Sequence, residues 1–241
     1  MKKTIFFAVL FSFVLVQAGA QLYRNIPRIG TEVPSFTAET TNGRLNFPSD
    51  FGRNWKVIFS HPRDFTPVCS SEILELAYQQ DKFEELNAKF VILSTDDLDS
   101  HRDWKASLEE IPYKDDRTVN IDFPFIDDFN KRISYRYGMI PLNEQSGPNI
   151  RSVIIIDPDN KVRAVLHYPN EVGRDIDELR RTLTALQTVD KNRNVVTPAN
   201  WKPGGDVMVT SLSAEERESI GQANSDLYQL SWFMIFRKMN E

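Results

Sequence analysis

The chain reads as an α/β protein with a small C-terminal extension domain. Three observations carry this reading. Apolar runs of strand length recur, segments of helical periodicity stand between them, and the texture turns to Pro, Gly and Asn after Thr188. The runs cover residues 56–59, 90–93, 122–126, 153–156 and 162–166, each short enough for a buried strand. The last two flank Asp157-Pro158-Asp159-Asn160, a strong turn sequence, and so predict a β-hairpin.

The intervening segments predict helices. Residues 70–86 place Ile73, Leu76, Ala77 and Phe83 as an inward face. Residues 100–108 open on Ser100, a candidate N-cap with Asp103 close behind. Residues 174–189 repeat Ile176, Leu179, Leu183 and Leu186. Strand and helix in alternation, then a hairpin and a helix, argue a sheet with helices on both faces. Beyond it, 197–206 reads as loop, 207–209 as a short strand and Ser213 as a helix start. The aromatic stretch 231–236 reads as a strand packed on the main body or on a second subunit.

The first twenty residues read as an address rather than as fold. Lys2-Lys3 precede an apolar stretch from Ile5 to Val16, broken by Ser12, and Ala18-Gly19-Ala20 is a small-residue cleavage site. The stretch is shorter than the roughly 20 residues a spanning helix needs, so a cleaved leader is expected rather than a membrane span. The expected organisation is therefore a signal peptide over 1–20, a main domain over 21–190 and an extension over 191–241. The expected location is secreted, or the lumen of the secretory pathway. A net charge of −5 argues against nucleic acid as partner, since that binding rests on neutralising phosphates with Lys and Arg.

Cys69 is the single cysteine in 241 residues, so no disulfide can form within the chain. A lone thiol in a secreted protein points to intermolecular pairing or to a free, reactive group. Its surroundings favour the second. A strand ends near Ser60, the segment HPRDFTPVCSSE runs from His61 to Glu72, and a helix starts around 68–70. The residues before Pro62 and Pro67 are biased to extended backbone. Cys69 then stands in the first turn of a helix, where free N–H groups and the positive dipole end favour a thiolate. Thr66 can point its hydroxyl back at the sulfur. A nucleophilic cysteine needs such an electropositive, partly accessible pocket.

The spacing Pro62-x-x-x-Thr66-x-x-Cys69 resembles the peroxidatic signature of peroxiredoxins. The longer stretch FSHPRDFTPVC, from Phe59 to Cys69, is similar to the one-cysteine, peroxiredoxin-six-type branch. The likeness runs from about Gly30 to Val209 and takes in Val33-Pro34-x-Phe36, Phe123-Pro124 and Thr197-Pro198-x-x-Trp201. It implies a thioredoxin-like fold and a thiol peroxidase that reduces hydrogen peroxide and organic hydroperoxides. Cys69 would be the nucleophile, passing through a sulfenic acid. Thr66 would hydrogen-bond the peroxide, Pro62 would shield the sulfenate, and Arg151 would stabilise the developing charge. Glu72 and Arg174 would orient Arg151, and His61 matches a position near the pocket.

The same resemblance implies no cofactor and no metal, a homodimer, and reduction by an external thiol such as glutathione, since no second cysteine is present. Some members of the branch also hydrolyse phospholipids through a Ser, a His and an Asp. Here those positions hold Asn54, Pro48 and Asp159, so the nucleophile and base that acyl transfer needs are missing. The alternative function is a secreted redox-responsive signalling or holdase protein with little turnover.

Overall fold

Residues 56–59 lie within a longer strand, β3 (Trp55–Ser60), whose six residues are all buried. A strand buried on both faces needs partners at both edges and cover above and below. A computed structural model, which describes residues 26–141 and 147–239, supplies both. The leader expected over residues 1–20 lies outside the described residues. β3 pairs in parallel with β4 (Ala88–Leu93) and antiparallel with β6 (Arg151–Ile156). β6 in turn forms the expected hairpin with β7 (Val162–Tyr168).

On the other side, β4 pairs in parallel with β5 (Phe125–Ile126). That strand keeps only two residues of the expected 122–126 run. Beyond it lies a hairpin of β1 (Phe36–Thr40) and β2 (Gly43–Phe47). The sheet order is β2-β1-β5-β4-β3-β6-β7. The β1–β2 hairpin was not expected from the apolar runs, because both strands have several exposed positions. Its signal is the pair Asn42-Gly43: Thr41 and Asn42 form the turn, and Gly43 follows at φ 97°.

Alternation along the strands sends two sets of side chains to opposite faces. Ile58, Val91, Leu93, Ile126, Ile154 and Ile156 join Phe36, Phe47 and Tyr137 in one cluster. After α1 (Pro67–Tyr78), the helices α2 (Gln80–Glu85) and α3 (Leu98–Glu109) send aromatic side chains to the opposite face. There Phe83 meets Phe90 edge-on at 4.8 Å, and Trp104 meets Phe125 at 5.8 Å.

The single helix expected over 70–86 is thus two helices, α1 and α2, parted at Gln79 (φ −103°, ψ 5°). At about 100° per residue, Phe83 would stand about 80° off the stripe led by Ile73. The break lets Phe83 reach full burial. The N-cap of α3 is Asp97 and not Ser100: the Asp97 carboxylate accepts the Ser100 N–H at 2.8 Å. A carboxylate accepts from the first turn more strongly than a hydroxyl. A further short helix, α4 (Arg132–Arg136), was not expected.

The contacts divide the chain into two units at Arg174/Asp175, ahead of the 190/191 boundary that the change of texture suggested. The second unit holds α5 (Ile176–Lys191), capped by Asp175, which accepts the Glu178 N–H at 3.0 Å. It also holds a sheet ordered β10-β11-β9-β8, formed by β8 (Val195–Val196), β9 (Val207–Val209), β10 (Leu227–Ser231) and β11 (Met234–Arg237). α6 (Ala214–Ser219) starts at Ser213 as expected, with a full capping box to Glu216. The tail is a hairpin rather than one strand. It turns at Trp232-Phe233, and β11 pairs with β9 of the same unit.

Candidate active site

The register between β3 and β6 decides what surrounds Cys69. Phe59 lies opposite Val153, so the chain leaving β3 emerges beside the chain entering β6. Ser60 secures that junction: its hydroxyl donates to the Ile150 carbonyl at 2.7 Å and accepts the Ser152 N–H at 3.0 Å. From this end of β3 the segment His61–Thr66 leads into α1. Phe65 adopts φ 54°, a left-handed conformation that is uncommon for a bulky side chain. Thr66 is the N-cap and Pro67 the first helical residue, where its missing N–H costs nothing. Cys69 stands in the first turn, as expected.

Arg151, the first residue of β6, is buried rather than a surface charge at a strand end. Its Nη1 donates to Cys69 Sγ at 3.2 Å and to Glu72 Oε2 at 2.7 Å, and its Nε donates to the Asn170 carbonyl at 3.0 Å. Glu72, one helical turn beyond Cys69, receives Arg151 on one oxygen and Arg174 on both. Arg174 donates from its backbone N and Nε to Oε1 (2.7 and 2.8 Å) and from Nη2 to Oε2 (2.7 Å). Its Nη1 reaches the carbonyls of Ser60 (2.8 Å) and Ser152 (3.0 Å), and the guanidinium lies 3.3 Å above the Phe59 ring. Arg174 therefore ties β3 to β6 and freezes Glu72, which in turn fixes Arg151.

The electrostatics follow from this packing. Burial alone would raise the Glu72 carboxyl, but the hydrogen bonds and charge of Arg174, with the charge of Arg151, hold it below its ordinary value. Two guanidinium groups against one carboxylate leave an excess of positive charge beside the sulfur. That excess, with the start of α1, suits an anionic sulfur and an anionic leaving group.

Two expectations are corrected here. The Cys69 side chain is fully buried, not partly accessible, because α1 turns it inward with Ile73 and Leu76. The Thr66 hydroxyl does not point its proton at the sulfur. It donates to the Arg63 carbonyl at 2.9 Å, closing the turn that Phe65 opens. Its oxygen lone pairs remain able to accept. Pro62 is buried at the head of the same segment.

His61 is fully buried and belongs to a cluster that the sequence reading did not assemble. Its Nε2 lies 2.9 Å from Asp64 Oδ1, and Asp64 Oδ2 lies 2.7 Å from His101 Nδ1. The available signal was the spacing His101, Trp104, Leu108, which puts the histidine on the buried stripe of α3. Donor atoms of His61, Asp64 and Asp96 lie within 4.8 Å of one another. Three of their four carboxylate oxygens are already engaged: Asp96 Oδ2 accepts the Asp64 N–H and the Ser94 hydroxyl, and both Asp64 oxygens face imidazoles. Asn54 and Asp159, at the phospholipid-hydrolysis positions, bond instead to the Phe51 carbonyl and to Arg53.

Comparison with known proteins agrees with this geometry. Residues 29–165 match the AhpC/TSA family and residues 185–218 the C-terminal domain of 1-Cys peroxiredoxin. A peroxiredoxin of Methanosarcina mazei is 40% identical over 88% of this chain and 98% of its own. A mitochondrial peroxiredoxin of Saccharomyces cerevisiae is 39% identical over 82% of this chain and 77% of its own. Among solved structures, yeast mitochondrial 1-Cys peroxiredoxin superposes with a TM-score of 0.77 at 36% identity, covering 88% of this chain and all of that one. Peroxiredoxin 6 of Arenicola marina gives 0.77 at 29% identity, covering 89% of this chain and 99% of that one. Domain matches along most of the chain, a single cysteine and an arginine on its sulfur lead to one assignment: the chain belongs to the peroxiredoxins, as a thiol peroxidase of the one-cysteine class with a thioredoxin-like fold.

Proposed function

We propose that Cys69 is the peroxidatic nucleophile and that an external low-molecular-weight thiol of the glutathione type completes each cycle. The observation that carries this is the 3.2 Å contact from Arg151 to the single sulfur in the chain. The thiolate attacks one peroxide oxygen. The S–O bond forms, the O–O bond breaks, sulfur loses two electrons, and the departing oxygen takes up a proton as water or alcohol. Arg151 supplies positive charge where the leaving oxygen becomes negative. Glu72 and Arg174 hold that guanidinium in place, Thr66 accepts a hydrogen bond from the peroxide, and Pro62 shields the oxidised sulfur.

With no second cysteine, the sulfenic acid meets an external thiol or advances to sulfinic acid. The structural study of the yeast relative describes thiol resolution through glutathione and thioredoxin systems, which supports the same class of reductant here. The test is peroxide consumption with glutathione and with a thioredoxin system, by the native chain and by Cys69→Ser. Turnover with neither reductant, or unchanged turnover in Cys69→Ser, would overturn the reading. The relatives described above are all named as peroxiredoxins, and nothing in them supports a signalling or holdase protein with little turnover.

Residues 1–20 direct the chain into the secretory route on this reading, supported by their charge, apolar run and small-residue site. No helix among the described residues is long and apolar enough to cross a membrane. Intact-mass measurement of the native protein tests leader removal and reports the oxidation state of Cys69 together. The proposed assembly is a homodimer. The exposed apolar tip Leu230, Trp232 and Phe233 is the kind of surface an interface covers, and light scattering on the purified protein decides it.

A further inference from the structure

The buried cluster on His61 has a proton arrangement that its hydrogen bonds dictate. His101 Nε2 lies 2.9 Å from the Ile126 carbonyl, which can only accept, so Nε2 carries a hydrogen. His101 Nδ1 faces Asp64 Oδ2 at 2.7 Å, and the Ser100 hydroxyl donates to the same oxygen at 2.9 Å. With Asp64 ionised, His101 is the doubly protonated partner of a buried ion pair. The remaining oxygen, Oδ1, then receives His61 Nε2–H at 2.9 Å. His61 is fully buried and lies near the positive charges of His101 and Arg174, so a second imidazolium is disfavoured: His61 is neutral and its Nδ1 is a bare lone pair. That Nδ1 is buried with no partner.

The shifts run in the same sense. Burial pushes His61 below its ordinary value. His101 is held above its own by Asp64 against the effect of burial, and Asp64 is held well below the carboxylate range by the two imidazoles. The charged groups acting on His61 are Asp64, His101 and Arg174. Trp104 packs on the His61 ring at 4.9 Å, and its indole N–H reaches Ser70, the neighbour of Cys69, at 3.2 Å.

A buried acceptor left unpaired is destabilising, so a bare imidazole nitrogen in the segment that carries the nucleophile calls for a use. We infer that Asp64 and His101 are positioning residues of the peroxidase site: they fix His61 as the Nε2–H tautomer and reserve its Nδ1 to accept the peroxide O–H. This rests on the peroxidase reading above. The oxygen that sulfur attacks keeps its own proton and becomes the sulfenic O–H. Nδ1 takes a hydrogen bond from it and no proton, so the contribution is orientation. Which imidazole nitrogen is free is set by the bond the other one makes, so Asp64 in the signature segment sets it directly and His101 on α3 sets it through Asp64.

The chain has three histidines, His61, His101 and His167, so nitrogen-15 NMR of histidine-labelled protein reads all of them. At pH 7 we expect His61 protonated on Nε2 alone and His101 on both nitrogens. Asp64→Asn offers His61 an amide donor and is expected to shift it toward the Nδ1–H form. The single-turnover rate with hydrogen peroxide should then fall about 10²-fold, while iodoacetamide alkylation of Cys69, which needs no peroxide orientation, stays within about twofold. His101→Gln should slow the peroxide step in the same direction, and His167→Gln should match the native protein. Should Asp64→Asn not fold, the native NMR spectrum and His101→Gln still decide. His61 protonated on Nδ1 in the native protein, or peroxide rates within twofold of native in Asp64→Asn or His101→Gln, would overturn the inference. Expected tautomers in a native protein inert to peroxide would overturn the peroxidase reading itself, and this inference with it.

Discussion

Nη1 of Arg151 lies 3.2 Å from the sulfur of Cys69, across 82 residues of chain. The contact exists because β3 and β6 are antiparallel neighbours, so that the exit from one strand meets the entrance to the other. Arg151→Met keeps the length and apolar stem of the side chain and removes its charge. The peroxide step should slow by about 10²-fold or more, the scale of losing one preorganised charged donor. Circular dichroism and the unfolding midpoint should show the fold retained, because Glu72 keeps its three bonds from Arg174.

Removing Glu72 should be worse for stability than removing Arg151. Glu72→Gln leaves two buried guanidinium groups facing each other without their shared carboxylate. Breaking a buried pair in this way costs about 3–5 kcal/mol, readable as a lower urea midpoint. The peroxide step should slow too, since Arg151 loses its anchor.

Acid should act through the same carboxylate. The folded value for Glu72 is below the ordinary 4.5. Its stabilisation is thus complete above the unfolded value and is lost as pH falls through the folded one. Asp64 behaves alike. Near neutrality His61, held low, loses stability as pH falls, whereas His101, held high, gains it, so the two oppose each other. We expect urea midpoints to change little between pH 7 and 5 and to drop below about 4.5, with a shallower acid limb in Glu72→Gln.

Stability and chemistry should separate at Phe83. It lies on α2, is fully buried against Phe90, and is none of the groups hydrogen-bonded to Arg151 or Glu72. Phe83→Ala should cost about 3–5 kcal/mol in chemical denaturation, while the peroxide rate of the remaining folded protein stays within about twofold of native.

Much of the site was legible along the chain because its core is local. Pro62, Thr66 and Cys69 sit within one turn-to-helix segment, and Glu72 follows one helical turn later. Local steric rules and helix geometry fix such relations. The β6–β7 hairpin was equally legible, since its turn residues are adjacent in sequence. The break at Gln79 and the tail hairpin at Trp232-Phe233 were not, because periodicity does not say where burial will redirect a chain.

By itself the sequence determined an α/β protein, the helix start that carries a single thiol, and the need for a reductant outside the chain. Only the tertiary structure decided that Arg151 is buried on the sulfur, that Glu72 is shared by two arginines, and that Asp64 stands between two histidines. Apart from the local His61–Asp64 contact, those relations join residues 37 to 102 positions apart. Their partners are chosen by strand order and register, which cooperative packing of the whole sheet sets and no short window of residues contains.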